Sequence, residues 1–234
     1  MNFFYYPEIS GFEIILPEEE SRHCIRVLRL KKNESLYMVD GKGTLYHALL
    51  VDPDIRRAGV KIVKSIPDYR QRLQYLHIAI APTKNTDRFE WFLEKATEIG
   101  IDEITPIICA RSERKSVHSE RAQRILVAAM KQSQRAYLPR FNQIKTYDEI
   151  LAGTQAKSKI ITHCNIENLP RISKDLIKES PSVILIGPEG DFTMQEVEMA
   201  IKKGYAEASL GPFIYRTETA GVMACHEFNL LFRQ

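Results

Sequence analysis

From Leu73 onward the chain alternates short apolar runs with helical sequence, and this alternation constrains its fold more than any other feature. Strands are predicted at 76–81, 104–109, 160–163 and 183–186, with helical sequence after each of the last two. Helices are predicted at about 87–99, 119–137 and 217–232, and a further helix is predicted to begin near Met194. Largely apolar strands that alternate with helices indicate a parallel sheet covered on both faces. The sequence therefore predicts an α/β domain over residues 71–234.

The first 70 residues are predicted to form a smaller, mainly β domain. Strands are expected at 36–39, 45–51 and 60–63. Between the first two stands Asp40-Gly41, a strong hairpin signal, and one helix opens at Pro17, which three glutamates follow. The polar segment 66–72 is the expected boundary, which gives domains at 1–70 and 71–234.

Length and composition exclude several classes of protein. With 44% hydrophobic residues among 234, and 11 glycines and 11 prolines, the chain is neither disordered nor collagen-like. The first residues show no signal-peptide pattern, and no apolar stretch reaches the roughly 18–20 residues of a membrane span. The four cysteines are far apart and form no Cys-x-x-Cys pair. We therefore expect a soluble cytoplasmic protein without a metal site.

Two glycine-bearing loops follow late strands, at 186–193 and 210–220. The sequence lacks the G-x-G-x-x-G, G-x-x-x-x-G-K-[ST], H-E-x-x-H and G-x-S-x-G motifs of common nucleotide-binding proteins, zinc proteases and hydrolases. Open α/β sheets bind ligands beyond the carboxyl ends of their strands, and glycine lets the backbone approach a ligand closely. Both loops are therefore candidate ligand sites. The alternative is that each only connects a strand to a helix, with Thr193 or Thr217 as the N-cap.

The sequences of these loops resemble a known family. Gly-Pro-Glu-Gly at 187–190 and Leu-Gly followed by Arg-Thr-Glu-Thr-Ala within 210–220 are similar to the RsmE family of SPOUT-class RNA methyltransferases. The likeness spans nearly the whole chain, through His23, 27–29, 40–43, 82–84, 94–100, Pro106, 111–112, Arg121, Gln132, Arg135 and Pro139. The family usually has tryptophan, an acid, glycine and arginine where this chain has Ala122, Ala128, Asp191 and Phe213.

The resemblance implies S-adenosylmethionine as the cofactor and N3 of one uridine in 16S ribosomal RNA, within the small ribosomal subunit, as the target. It also implies a PUA-like RNA-binding domain at 1–70, a SPOUT domain with a trefoil knot at 71–234, and a homodimer. A candidate dimer face, or ordinary core, is the apolar side of the last helix, formed by Val222, Met223, Cys225, His226 and Leu230. The implied cofactor-binding residues are Thr162, His163, Leu185, Gly187, Pro188, Glu189, Gly190, Leu210, Gly211, Ile214, Tyr215, Thr217, Thr219 and Ala220.

Two charged residues at the start of the last helix are candidates for catalysis. Uracil N3 carries a proton at neutral pH, so its methylation needs a base or a group that stabilises the uracil anion. We expect Arg216 to stabilise negative charge on the uracil oxygens, and Glu218 to orient Arg216 or to take the proton. The alternative is a structural ion pair between these two side chains.

Positive charge is concentrated in two segments of a chain whose net charge is only +3. Residues 21–32 carry +5 and residues 111–140 carry +6. Such clusters suit a phosphate backbone, and a solvated helix face is the common alternative. Part of the charge is spaced to lie on one side of the predicted helix, at Arg121, Arg124, Lys131 and Arg135. The expected RNA contacts are His23, Arg26, Arg29, Lys84, Arg111, Arg121, Arg124, Gln132 and Arg135.

Two other functions fit parts of this pattern. One is a SPOUT methyltransferase for another position, such as a ribose 2′-hydroxyl; the PUA-like start and the segment 94–100 argue against it. The other is a non-catalytic RNA-binding factor for ribosome assembly, which need not retain a cofactor pocket.

Overall fold

A computed structural model describes residues 3–164 and 168–232. Packing divides the described chain into two units. The first contains the residues up to Gln71 together with Val127–Leu138, and the second contains Arg72–Leu126 together with the residues from Pro139 onward. The predicted domains, 1–70 and 71–234, divide the chain only once. In the structure, residues 127–138 also pack with the first unit.

The first unit is built on a five-stranded sheet in the order β1-β3-β4-β5-β2. Its elements are β1 (Phe3–Tyr5), β2 (Glu13–Ile15), α1 (Glu18–Arg22), a π-helical turn (His23–Val27), β3 (Ser35–Val39), β4 (Leu45–Asp52) and β5 (Gly59–Ile66). The predicted hairpin is confirmed, because β3 and β4 pair antiparallel. Within its turn, Oδ1 of Asp40 accepts hydrogen bonds from the amides of Lys42 and Thr44 at 2.7 and 3.1 Å, and Gly41 supplies a positive φ of 74°.

The second unit is built on a parallel sheet, as the alternating pattern predicts. Its strands run in the order β12-β10-β11-β6-β7-β8, with β9 also paired to β7. From β6 onward the elements are β6 (Leu76–Ile80), α2 (Thr86–Ile99), β7 (Glu103–Ile108), α3 (Ser119–Gln132), β8 (Arg140–Phe141), β9 (Lys145–Thr146), α4 (Tyr147–Gly153), β10 (Ser158–Thr162), β11 (Ser182–Ile186), α5 (Met194–Lys202), β12 (Ala206–Ala208) and α6 (Thr217–Leu231). Of these, α3 passes from the second unit into the first at Val127. Every residue of β6 and β11 is buried, which agrees with central strands covered on both faces.

The helix predicted at 119–137 ends five residues early, because α3 stops at Gln132. Beyond it, Gln134 adopts a left-handed φ of 57°, and the amide of Arg135 donates to the carbonyl oxygen of Met130 at 3.0 Å. This is a Schellman motif, which closes a helix through local hydrogen bonds. Pro139 is therefore not the stop signal, and the prediction that Arg135 lies on the basic side of the helix is wrong.

The helix expected after β10 is not found among the described residues. The residues described between β10 and β11, 163–164 and 168–181, contain no helix. Pro170 and Pro181 lie in this connection, and each lacks the amide hydrogen that a continuing helix uses. The helix expected after β11 is confirmed as α5.

α2 and α6 lie side by side and run in the same direction. Near their carboxyl ends, the side-chain amide of Asn229 donates to the carbonyl oxygen of Gly100 at 2.9 Å. Two turns earlier, Gly221 faces Phe92, and a Cβ on this glycine would lie 2.7 Å from the phenyl ring. Gly221 therefore permits a close approach of the two helices. None of the described helices is long and apolar enough to cross a membrane.

Candidate active site

One edge of the parallel sheet gathers the carboxyl ends of β10, β11, β6 and β7. Open α/β sheets bind ligands at such an edge. The segments that leave it include 187–193 after β11 and 81–85 after β6, and α6 begins beside the first of these. The edge therefore brings together residues that are far apart in the sequence.

The segment 187–193 turns sharply at Asp191, which adopts a left-handed φ of 58°. Glycine accepts this conformation most easily, and aspartate tolerates it. Oδ1 of Asp191 accepts from the amide of Phe192, and Oδ2 accepts from the amide of Cys164, both at 2.8 Å. Asp191, which stands where the family usually has glycine, therefore keeps the turn and adds a hydrogen bond to the residue Cys164, which follows β10.

Two residues predicted to bind RNA contact this segment. The amide of Lys84 donates to Oε1 of Glu189 at 2.8 Å, and Nη1 of Arg111 donates to the carbonyl oxygen of Gly190 at 2.7 Å. The guanidinium of Arg114 donates in turn to the carbonyl oxygen of Lys84 at 3.1 Å. Lys84 and Arg111 are both exposed, but Nζ of Lys84 pairs with Oε2 of Glu113 at 2.8 Å, so Arg111 brings the more available positive charge to the rim of the predicted cofactor loop.

A buried hydrogen bond joins the two predicted loops. Oγ1 of Thr217, the first residue of α6, donates to the carbonyl oxygen of Gly187 at 3.0 Å. Upstream in the same loop Leu210 is buried and Gly211 has a φ of +133°, whereas Ile214 is 85% exposed. The other predicted residues of the loop and first turn are half-buried: Tyr215, Thr219 and Ala220. The structure thus brings 187–190 and the start of α6 together, and leaves the tip of the second loop in solvent.

The N-cap alternative holds for one loop only. Thr193 caps α5 through a capping box, in which its side chain and the carboxylate of Glu196 bond each other's amides. At α6 the N-cap residue is Arg216, which has no capping hydrogen bond from its side chain, and Thr217 lies inside the helix. The side chain of Thr217 is therefore used for the contact between the loops.

The two candidate catalytic residues occupy different environments. Arg216 is exposed at the start of α6. Glu218 is buried, and the ion pair recorded for it is with Arg88, whose Nε lies 3.8 Å from Oε1. Oε2 is buried and has no hydrogen-bond partner among the described residues. The carboxylate lies in the first turn of α6, where the helix dipole favours negative charge.

Thr162 and His163, at the end of β10, are buried and bonded within the protein. Oγ1 of Thr162 donates to the carbonyl oxygen of Leu185 at 3.0 Å. Nε2 of His163 lies 3.0 Å from Oε1 of Glu207 on β12. These contacts hold the ends of three neighbouring strands at the edge where the loops begin.

Sequence reasoning missed Arg88 and Glu207. Neither stands in a recognisable motif, and each reaches its partner only through pairing between distant elements. Glu207 comes to His163 because β12 pairs with β10, and Arg88 comes to Glu218 because α2 packs on α6. The alternation of elements indicates a sheet, but it does not give the order of strands or the pairing of helices.

The predicted RNA contacts of the first unit are of two kinds. Arg26 and Arg29 are exposed, whereas His23 is half-buried with its ring 5.8 Å from that of Phe4. Gln132 is exposed at the last residue of α3. Arg26, Arg29 and Gln132 are thus open to a ligand, and His23 also supports the packing of its own unit.

The basic side predicted for α3 is partly neutralised. Nε of Arg121 lies 2.5 Å from Oε1 of Glu90, whereas Arg124 is exposed. Lys131 pairs with Glu20 inside the first unit. Arg124 is therefore the residue of this group whose charge is most available. The described residues contain no group of three or more side chains that could hold a metal ion.

Comparison with known families identifies the chain. A model described as an RNA methyltransferase domain matches residues 70–229, and one described as an RNA methyltransferase PUA domain matches residues 16–63. The chain belongs to this RNA methyltransferase family. It therefore combines a mixed α/β methyltransferase domain, built on a parallel sheet, with a small N-terminal PUA domain.

Individual relatives agree over nearly the full length of this methyltransferase. The crystal structure of a probable rRNA-methyltransferase from Porphyromonas gingivalis has a TM-score of 0.90 and 35% identity, over 99% of this chain and 98% of that one. A Ribosomal RNA small subunit methyltransferase E from Neisseria gonorrhoeae, bound to S-adenosyl methionine, has a TM-score of 0.90 and 29% identity over the same shares. A relative of that same name from Synechocystis sp. is 29% identical over 96% of this chain and 75% of its own length. The resemblance to the RsmE family is confirmed.

Proposed function

We propose that this methyltransferase transfers the methyl group of S-adenosylmethionine to N3 of one uridine in 16S ribosomal RNA. The observation that carries the proposal is the buried hydrogen bond from Thr217 to Gly187, which joins the two glycine-bearing loops at the carboxyl edge of the sheet. The relatives named for the small-subunit RNA support the choice of substrate. The choice of uridine and of N3 rests on the family resemblance.

The two loops suit a cofactor that carries a nucleoside. Gly190 is exposed and presents backbone without a side chain, and Leu210 supplies almost fully buried apolar surface. The space beside Gly187 is filled by the ring of Phe192, and Leu185 lies in the core of the domain. Exposed amide and carbonyl groups on such loops can bond the edge of an adenine ring. We assign the cofactor contacts to these loops together with the end of β10, within a trefoil knot formed by the last strands and α6. When bound, S-adenosylmethionine supplies a methyl group already activated by its sulfonium.

In this proposal, Arg216 stabilises negative charge on the uracil and Glu218 accepts its proton. Arg216, exposed at the start of α6, donates to the uracil oxygens, where negative charge develops as N3 loses its proton. Glu218 accepts that proton on Oε2, the oxygen without a partner among the described residues. The edge of the sheet holds the ring so that N3 and the methyl group are in line.

RNA is held by cations of both domains. Arg26 and Arg29 belong to the PUA domain, and Lys84, Arg111 and Arg124 belong to the methyltransferase domain. Because phosphate contacts release counterions, we expect the affinity for a 16S fragment to fall steeply with salt. Binding that does not change between low and high salt would contradict this assignment.

Analysis of the RNA tests the reaction. We expect ribosomal RNA from a strain without this gene to lack one 3-methyluridine by nucleoside mass spectrometry, and the wild-type gene to restore it. Unchanged 3-methyluridine in the deletion strain overturns the proposal. In single-turnover assays at saturating cofactor, Arg216→Ala and Glu218→Ala should be slow, whereas Lys202→Ala, an exposed cation on α5, should not. Near-normal rates would remove the first two from catalysis.

A homodimer is part of the same proposal. Val222, Met223 and His226 are half-buried on α6 and Leu230 is 44% exposed, so this side has apolar surface for a partner. Cys225 is fully buried against α2 and is core. Sedimentation at the 27.0 kDa of one chain would contradict the dimer. The domain ranges 1–70 and 71–234 and the cytoplasmic location stay predictions.

A further inference from the structure

The carboxylate of Glu218 has a charged neighbour on one side only, at ion-pair distance. It is 6% exposed, its Oε1 lies 3.8 Å from Nε of Arg88, and its Oε2 has no hydrogen-bond partner among the described residues. A buried polar atom without a partner costs free energy, so native proteins retain few of them. A ligand that donates a hydrogen bond to Oε2 would complete the arrangement.

The position of Arg88 follows from the packing of α2 on α6. Phe92 lies four residues after Arg88, and Gly221 lies three residues after Glu218, so each is one helical turn further along the same side. At that next turn Gly221 faces the ring of Phe92, and a Cβ on this glycine would lie 2.7 Å from it. Arg88 and Glu218 therefore meet one turn before this contact, and both side chains project from helices that are fixed against each other.

Arg88 also supplies the charge that this carboxylate needs. A buried negative charge needs a cation near it, and Nε of Arg88 lies 3.8 Å from Oε1 of Glu218. Arg216 is exposed and is not the recorded partner of Glu218. The two arginines thus have separate tasks: Arg88 faces the carboxylate, and Arg216 is left for the substrate.

We propose that Arg88 is a positioning residue, which holds Glu218 through Oε1 and directs Oε2 toward the imide N–H of the substrate base. This inference rests on the proposed function and adds the residue that orients its base. In the reaction, N3 of the uracil gives its proton to Oε2 and forms the new bond to the methyl carbon. The bond between that carbon and sulfur breaks, its electron pair stays on sulfur, and the protonated Glu218 later releases its proton to water.

A double-mutant cycle tests the inference. Single-turnover methylation is measured for the wild type, Arg88→Ala, Glu218→Gln and the double variant, with small ribosomal subunits from the deletion strain and saturating S-adenosylmethionine. We expect each single variant to be at least about tenfold slower and the double variant to be no slower than Glu218→Gln, because Arg88 acts through Glu218. Arg88→Lys should recover part of the rate, since it restores the cation without the planar guanidinium.

Controls separate positioning from folding and from cofactor binding. Lys202→Ala removes an exposed cation of α5 and should keep the wild-type rate. Calorimetry with S-adenosylhomocysteine should give a dissociation constant for Arg88→Ala within about twofold of the wild type. Fluorescence of the single tryptophan, Trp91 on α2, reports whether the variants stay folded.

The outcomes distinguish this inference from the proposed function. Independent, multiplicative effects of the two substitutions overturn the positioning role, as does a wild-type rate for Arg88→Ala. A wild-type rate for Glu218→Gln combined with a slow Arg88→Ala overturns it as well, because Arg88 then acts elsewhere. If the wild-type protein forms no 3-methyluridine, the proposed function itself fails.

Discussion

Replacing Thr217 with valine tests whether one hydrogen bond holds the two loops together. Valine keeps the shape of the side chain but cannot donate to the carbonyl oxygen of Gly187, which Thr217 reaches at 3.0 Å. Leaving a buried acceptor without this donor costs about 1–3 kcal/mol. For a domain of this size that corresponds to a fall in melting temperature of about 2–4 °C per kcal/mol. If the cofactor needs the loops in their present position, a cost of about 1 kcal/mol weakens its binding about fivefold.

Two measurements on this variant check the reasoning. Urea unfolding followed by the fluorescence of Trp91 reports on the methyltransferase domain, because Trp91 lies on α2 and is the chain's single tryptophan. Calorimetry with S-adenosylhomocysteine reports on the loops. Thr219→Val is the matched control for stability, since it makes the same change in the same turn at a half-buried residue. Thr217→Val with wild-type stability and wild-type affinity would refute the idea that this bond fixes the loops.

Three further predictions follow from the same edge of the sheet. Asp191→Ala should be about 1–2 kcal/mol less stable than Asp191→Gly in urea unfolding, because only glycine accepts the left-handed φ of 58° without strain; equal stabilities would contradict this. Cys164 is the exposed thiol of the four cysteines, and burial followed by the charge of Asp191 raises its pKa above the ordinary 9.0. Its alkylation by iodoacetamide should therefore still accelerate above pH 9, as the thiolate fraction grows, and a plateau below that pH would count against it. Arg111→Ala should lower the slope of log affinity for RNA against log salt by about one unit, and Lys202→Ala should leave that slope unchanged.

The features that the sequence predicts best are those with local causes. The hairpin at Asp40-Gly41 depends on a two-residue signal, and the helix start after Thr193 depends on a capping box contained in four residues. The glycine-bearing loop after the apolar strand β11 is equally local, and it lies at the predicted edge of the sheet, where the start of α6 meets it. Such features need no knowledge of which elements are neighbours.

The features that the sequence could not predict depend on long-range packing, or on a local signal too weak to be recognised. α3 ends at Gln132 because a Schellman motif forms at Gln134, a residue without the usual glycine signal, and Pro139 misplaced the predicted end. The sequence suggests an ion pair between Glu218 and Arg216, two residues away, whereas Glu218 pairs with Arg88, which is distant in sequence and is brought close by helix packing. Charge counts likewise could not show that Lys131 is committed to Glu20.

Gly221 connects the packing of this domain to the geometry of its candidate site. A glycine inside a helix costs about 1 kcal/mol relative to alanine, so its presence calls for a compensating contact. A Cβ at this residue would lie 2.7 Å from the ring of Phe92 and 2.8 Å from Ile80, which means that α6 approaches α2 and β6 more closely than any larger residue permits. The first turn of α6 begins four residues before Gly221, and that turn carries both Thr217 and Glu218. A helix is stiff over so short a distance. The distance between α6 and α2 at Gly221 therefore determines whether Thr217 reaches the loop after β11 and whether Glu218 faces α2. Gly221 has no reactive side chain, but the close packing that it permits therefore determines where Thr217 and Glu218 lie.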